Sequence, residues 1–262
     1  MKKIIISSLL LTVIANILIL QQSSNLSNIN NIYTMFFYIH DINFNFTFLV
    51  IYLIAFVWCV LLDIYEIRHN HFDYNIIERI GYNKNFKNNL KSILLKTFIF
   101  KLLFDIMFIA SQWIRGLRFS FEYNPTMFQD VTQFSENLMN NLIIYTITSL
   151  LGMMLLSIFI YSLIDYINNK YIFLLFMPAM CLLTTILYII MYKFLYNPLM
   201  TIVNDDRITR IILTIYSPFQ LIEPGMLWKS YGLLSFGLSF ALLGVITVIL
   251  LVMSRRKRLI YG

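Results

Sequence analysis

Six stretches of the chain are apolar almost without interruption: residues 4–20, 46–62, 93–113, 142–164, 171–191 and 231–253. Each runs for about 20 residues, and a helix rising about 1.5 Å per residue needs about that many to cross a hydrocarbon core about 30 Å thick. The apolar positions do not alternate with polar ones, as they would in the strands of a membrane barrel. The pattern therefore predicts an all-α integral membrane protein with six transmembrane helices. The segments between the spans are shorter than a typical globular domain, so residues 1–262 read as a single transmembrane domain.

Composition agrees with the pattern. The chain is 59% hydrophobic and 13% charged, where soluble domains average about 25% charged residues, and its mean hydropathy is +0.74. A soluble enzyme, a disordered chain and a disulfide-rich secreted domain are excluded. The net charge of +7 reads as a topology signal, with no nucleic-acid partner implied, because basic residues accumulate in cytoplasmic loops. With both termini inside, the inner segments hold Lys2, Lys3, Arg68, Arg79, Lys84, Lys87, Lys91, Lys170, Arg255, Arg256, Lys257 and Arg258. The outer segments hold half as many: Arg115, Arg118, Lys193, Arg207, Arg210 and Lys229. This bias predicts an N-in, C-in topology. The first segment also has the outline of a signal peptide, but Leu18-Ile19-Leu20 lacks the small residues that cleavage requires, so it is expected to remain as a span.

Two of the connecting segments carry a pattern of their own. Between spans two and three, Phe72, Ile76, Ile77 and Ile80 fall on one helical face, with Asp73 as a candidate N-cap and Gly81 as a stop. This predicts a short amphipathic helix whose polar side carries Glu78 and Arg79; such a helix either rests on the inner leaflet or receives a partner. In the outer segment 192–230, the run 211–216 is too short to cross and is followed by Ser217-Pro218 and Glu223-Pro224-Gly225. A re-entrant or interfacial helix broken at Pro218 is expected there.

The third span contains Lys96, Lys101 and Asp105. If the membrane began only after Lys101, about 18 Å of helix would remain, far short of the hydrocarbon thickness. Lys101 and Asp105 thus lie at membrane depth, four residues apart on one helical face where they can pair. Intramembrane charges mark a pathway or a site by default; the alternative is that Lys101 snorkels inward and Asp105 neutralises it. Catalytic chemistry finds little footing. His40, His69 and His71 sit in loops or at span ends, no phosphate-binding GxxxxGK[ST] loop exists among the eight glycines, and Cys59 and Cys181 lie inside apolar runs. No catalytic residue, metal ligand or cofactor is assigned to this chain.

Six spans, short loops, cytoplasmic ends and an amphipathic helix between spans two and three resemble the membrane subunit of an ABC-2 type transporter. The local match runs from Glu66 through Phe72 and Tyr82 to Lys91 and Lys96, and the broken segment 211–228 before span six resembles that family's outer re-entrant region. Ile77-Glu78-Arg79-Ile80-Gly81-Tyr82-Asn83 also resembles the coupling segment of the FtsX/MacB-type permeases, which have fewer core spans and a large outer domain. One departure from the first family is the absence of an amphipathic connecting helix before the first span at Ile4. The resemblance implies a permease in the plasma membrane of a bacterium, exporting an amphipathic peptide, lipid or hydrophobic compound. It implies as partners cytoplasmic ATPase subunits, which would bring ATP and magnesium, a second permease chain, as a homodimer or heterodimer, and membrane lipids. Glu66, Phe72, Ile76, Ile77, Glu78, Arg79, Ile80, Gly81 and Tyr82 would then form the ATPase-coupling surface, with Lys101 and Asp105 as candidates for the translocation pathway. A different class stays open: a membrane immunity or assembly protein that binds another complex and transports nothing.

Overall fold

The computed structural model describes residues 1–21, 31–40, 42–70, 72–119, 134, 137–224 and 232–261. Among them the chain is all-helical: α1 (Lys2–Gln21), α2 (Ile32–His40), α3 (Ile42–Val60), α4 (Leu62–His69), α5 (Phe72–Ile80), α6 (Tyr82–Ile114), α7 (Leu138–Leu163), α8 (Lys170–Val203), α9 (Asp206–Thr214), α10 (Phe219–Ile222) and α11 (Gly232–Tyr261). The predicted apolar segments fall on α1, α3, α6, α7, α8 and α11. Four helices, Lys2–Gln21, Met139–Leu163, Lys170–Val203 and Leu233–Arg256, are long and apolar enough to cross a membrane. Ile32–His40 with Asn45–Val60, bent by 75°, makes a fifth if taken as one span. These long apolar helices fit a membrane protein.

The structure departs from the pattern where the pattern is least periodic. Helix α2 occupies part of what reads as an outer loop, 21–45. Its residues are buried on every side from Ile32 to Tyr33 and from Met35 to His40, so it shows no amphipathic period. Helix α3 is kinked at Asn45, at φ −131° and ψ 44°, and the Asn45 side-chain amide donates to the Tyr38 carbonyl at 2.8 Å. Helix α8 runs past the expected end at Met191 to Val203, through Pro178 and Pro198, because the aromatic and aliphatic sequence continues. Asp73 is already the second residue of α5 and so does not cap it from outside. The residue that precedes α5, His71, lies outside the described residues. Gly81 does stop α5: its φ of +81° suits the one residue without a Cβ, and α6 begins at the next residue.

Side-chain packing supplies much of the association between helices where lipid is the solvent, since lipid tails are as apolar as leucine. Here an aromatic seam fills that role. Phe48, Tyr52 and Phe56 on α3 and Phe100 and Phe104 on α6 recur every fourth residue and interleave. Ring centroids lie at 5.6 Å for Phe48–Phe104, 5.4 Å for Tyr52–Phe100 and 5.6 Å for Phe56–Phe100. Helix α1 lies along α3 and α6 through a polar seam: Cys59 Sγ donates to Ser7 Oγ at 3.0 Å, and Asn16 donates to Ser111 Oγ at 3.0 Å. Small α10 enters the bundle against α7 and α11. Gly152 makes room for it, since a Cβ there would stand 1.9 Å from the Leu221 carbonyl oxygen.

Polar contacts gather the helix ends into two groups. One holds Lys3 and Lys96 on Asp63 (2.6 and 3.3 Å), Arg68 on Asp165 (3.4 Å) and on Tyr161 Oη (2.8 Å), Lys170 on Glu66, and Ser254 on Asp165. The other holds Gln112 on Asn16 (2.9 Å), Asn141 on Tyr33 (2.8 Å) and the isolated bridge between Asn31 and Arg118. At the first end burial works to raise the Asp63 carboxyl, but the Lys3 hydrogen bond and the Lys96 charge hold it below its ordinary range.

Two consequences are measurable by thermal melting in mild detergent. Gly152→Ala forces backbone apart and is expected to cost about 1–3 kcal/mol, whereas Gly244→Ala, with open space around its Cβ position, leaves stability level or higher. Asp63 has a lowered folded-state affinity for its proton, so its contribution is present above the unfolded carboxyl range and is lost as pH falls. The gap in melting temperature between wild type and Asp63→Asn should therefore persist at neutral pH and close below about pH 4.

Candidate functional site

Four acidic or basic side chains are buried among the described residues, namely His40, Lys101, Asp105 and Glu223, and the fold brings all four together. Helix α6 carries Lys101 and Asp105 near the midpoint of its apolar segment. Their expected pairing is present, with Lys101 Nζ 3.0 Å from Asp105 Oδ1. Lys101 is only 1% exposed, so it does not snorkel to an interface; its charge is enclosed with its partner's.

Two elements that break within the bundle complete the enclosure. Helix α2 ends at His40, whose Nε2 lies 3.4 Å from Lys101 Nζ and 3.6 Å from Asp105 Oδ1. Its Nδ1 stands 2.7 Å from the Phe36 carbonyl oxygen. A carbonyl only accepts, so Nδ1 carries the hydrogen, and Nε2 is the ring nitrogen that faces Lys101 Nζ and Asp105 Oδ1. Helix α10, N-capped by Pro218, ends beside Glu223. Tyr145 of α7 donates its hydroxyl to Glu223 Oε2 and holds its ring 5.8 Å below Lys101 Nζ and 5.8 Å from the His40 ring. Ser149, one helical turn along α7, donates to the Ile222 carbonyl at 2.6 Å. Two buried oxygens beside the ion pair, Asp105 Oδ2 and Tyr52 Oη, make no hydrogen bond with the described protein.

Sequence reasoning finds Lys101 and Asp105 but not their companions. His40 reads as a loop residue because α2 has no period, and Glu223 reads as one more loop carboxylate. A signal for Glu223 does exist in its placement: it stands in the short broken helical segment, where irregular backbone at membrane depth is tolerated only inside protein or along a wet cavity.

The predicted coupling residues form a separate group at the first end of the molecule. On α5, Phe72 is 61% exposed, Ile80, Glu78 and Arg79 are exposed, and Ile76 and Ile77 are half-buried. Glu66 of α4 pairs with Lys170 at the tight connection 165–170. Gly81 and Tyr82 join α5 to α6, and about 28 Å of unbroken helix separates Tyr82 from Lys101. The structure does not bring the two groups into contact; α6 links them. Among the described residues no group of His, Cys, Asp and Glu is arranged to hold a metal ion.

Comparison of the chain with protein-family models, with curated proteins and with solved structures finds no match.

The enclosed pair gives a stability prediction. Asp105→Asn takes away the carboxylate that pairs directly with Lys101 Nζ and is expected to cost about 3–5 kcal/mol. Replacing both members, as in Lys101→Met with Asp105→Leu, should recover most of the loss in detergent melting, because neither is then left buried without its direct partner.

Proposed function

We propose that this chain is the membrane-spanning subunit of an ATP-driven exporter of the ABC type, which hydrolyses no nucleotide itself and receives the work of a separate ATPase on α5. The observation that carries the reading is mechanical: an amphipathic helix with outward apolar side chains stands at one end of the bundle, joined through Gly81 to a 33-residue helix that reaches the interior charges. A push on α5 is transmitted along α6, since a continuous hydrogen-bonded helix resists compression, while the joint at Gly81 lets α5 re-orient. Phe72, Ile76, Ile77 and Ile80 would enter an apolar cleft on the ATPase, with Glu78 and Arg79 at its rim and Glu66 bracing the base of α4.

The polar groups at the helix ends support the orientation. Lys3, Arg68, Lys96 and Lys170 meet at the same end as Ser254 and α5, and by the positive-inside rule that end is cytoplasmic. Six crossings then follow, with α6 as the third and the bent α2–α3 pair as the second. Helices α8 and α11 leave rows of apolar side chains outward, among them Leu183, Ile186, Ile190, Leu234, Val245 and Val248, which lipid or a second permease chain would cover. An amphipathic peptide, a lipid or a hydrophobic compound is the substrate class that suits such a bundle.

Ile77→Asp places a charge on the apolar face of α5 without touching the spans. A tagged chain purified from native membranes in mild detergent should carry an ATPase subunit in stoichiometric amount, and the Ile77→Asp chain should insert normally but lose it. Recovery of the wild-type chain alone, or with a membrane partner that is no ATPase, would favour the non-transporting immunity or assembly reading.

A further inference from the structure

With both carboxyls ionised and the imidazole neutral, the interior cluster would not balance its own charge: Lys101 contributes one positive charge and Asp105 and Glu223 one negative charge each. The sum is then −1, enclosed where all four residues are at most 5% exposed. Ionised groups removed from water are costly unless compensated, and a compact cluster of this kind shares its protons among its members. We propose that the cluster of His40, Lys101, Asp105 and Glu223 is a proton-binding site, taking up one proton from water and thereby latching the α10 segment onto α7. The site is independent of the ATPase reading and stands whether or not a subunit docks on α5.

The geometry supplies two places for that proton. On His40 it would occupy Nε2, making that nitrogen a donor aimed at Asp105 Oδ1, 3.6 Å away. On Glu223 it would leave a neutral carboxyl beside the Tyr145 hydroxyl. In either case no covalent bond other than N–H or O–H forms, and the neutral cluster is the one that tolerates enclosure. Among the described residues the charged or titratable groups facing it are Lys101 and Asp105 from α6, Tyr145 from α7, Tyr52 from α3, and Glu223 beyond α10, which lies within electrostatic reach of His40, Lys101 and Asp105. Asp105 Oδ2 and Tyr52 Oη, buried and without hydrogen bonds, show acceptor and donor capacity unused by the protein itself. Two helices that stop inside the bundle, α2 at His40 and α10 at Glu223, meet at this point, and discontinuous helices at membrane depth are where coupling ions are held in transporters.

Latching follows from how α10 is attached. Tyr145 to Glu223, Ser149 to the Ile222 carbonyl and the close approach at Gly152 hold it to α7. With the proton gone, the excess negative charge works against enclosure, and releasing Glu223 relieves it.

The test uses the full chain in lipid nanodiscs at about pH 5 and about pH 8, the range in which histidine changes charge. Hydrogen–deuterium exchange of residues 217–223, corrected for the intrinsic pH dependence of exchange, should show protection that drops about tenfold or more at the higher pH. Glu223→Gln removes the excess charge and should hold protection high at both pH values. An indicator-dye titration should find one proton bound per chain over this range in wild type and none in Glu223→Gln. His40→Gln serves as a second variant if Glu223→Gln does not fold; there too the cluster's proton uptake is altered, and the wild-type pH profile should be lost. Equal protection at both pH values in wild type, or a profile unchanged in both variants, overturns the proposal. Restoration of protection at about pH 8 by sodium or potassium alone would also overturn it, in favour of a metal-cation site.

Discussion

An ion pair buried within a 33-residue helix sets the terms for the rest of this molecule. Lys101 and Asp105 are costly to enclose among apolar side chains alone, so everything near them is arranged to surround them with polar protein groups. That requirement accounts for features that look irregular in isolation. Helix α2 descends from the end marked by Tyr33 and Asn141 and stops at His40 instead of continuing. Helix α10 is only four residues long and ends where Glu223 can meet Tyr145. Gly152 lets the α10 backbone approach α7 closely enough for this. Each interruption leaves backbone groups without helical partners, and each is buried in protein, where side chains such as Asn45 and Ser149 satisfy them.

The remainder of the bundle is held by packing suited to a lipid solvent. Aromatic rings at every fourth position of α3 and α6 interlock, and α1 adds a line of serine and asparagine contacts. At the end that holds Lys3 and Ser254, Asp63, Glu66 and Asp165 each hold a basic residue from a different part of the chain. These pairs are more exposed than Lys101–Asp105 and individually weaker, but together they bring the connections beside α5 into one surface. From that surface α6 runs to the charged interior.

The two ends of α6 therefore divide the functional questions. Its beginning, at Gly81 and Tyr82, stands beside the exposed apolar side chains of α5. Its middle lies in the enclosed cluster, where α10 is fastened to α7 by Glu223, the Ile222 carbonyl and the close approach at Gly152.

The apolar segments, their helical character, the amphipathic pattern at Phe72, Ile76, Ile77 and Ile80, and the pairing of Lys101 with Asp105 were all legible in the sequence. They follow from local rules: span length, helical period and four-residue spacing act within one stretch of chain. The stop at Gly81 was legible for the same reason, because a glycine's backbone freedom is its own. The burial of α2, the continuation of α8 to Val203 and the meeting of His40 and Glu223 with Lys101 and Asp105 were decided by tertiary structure alone. Residues 40, 101, 145 and 223 are brought together by packing among separate helices, and no periodicity in a single segment records which carboxylate or imidazole will fill the space beside a buried charge.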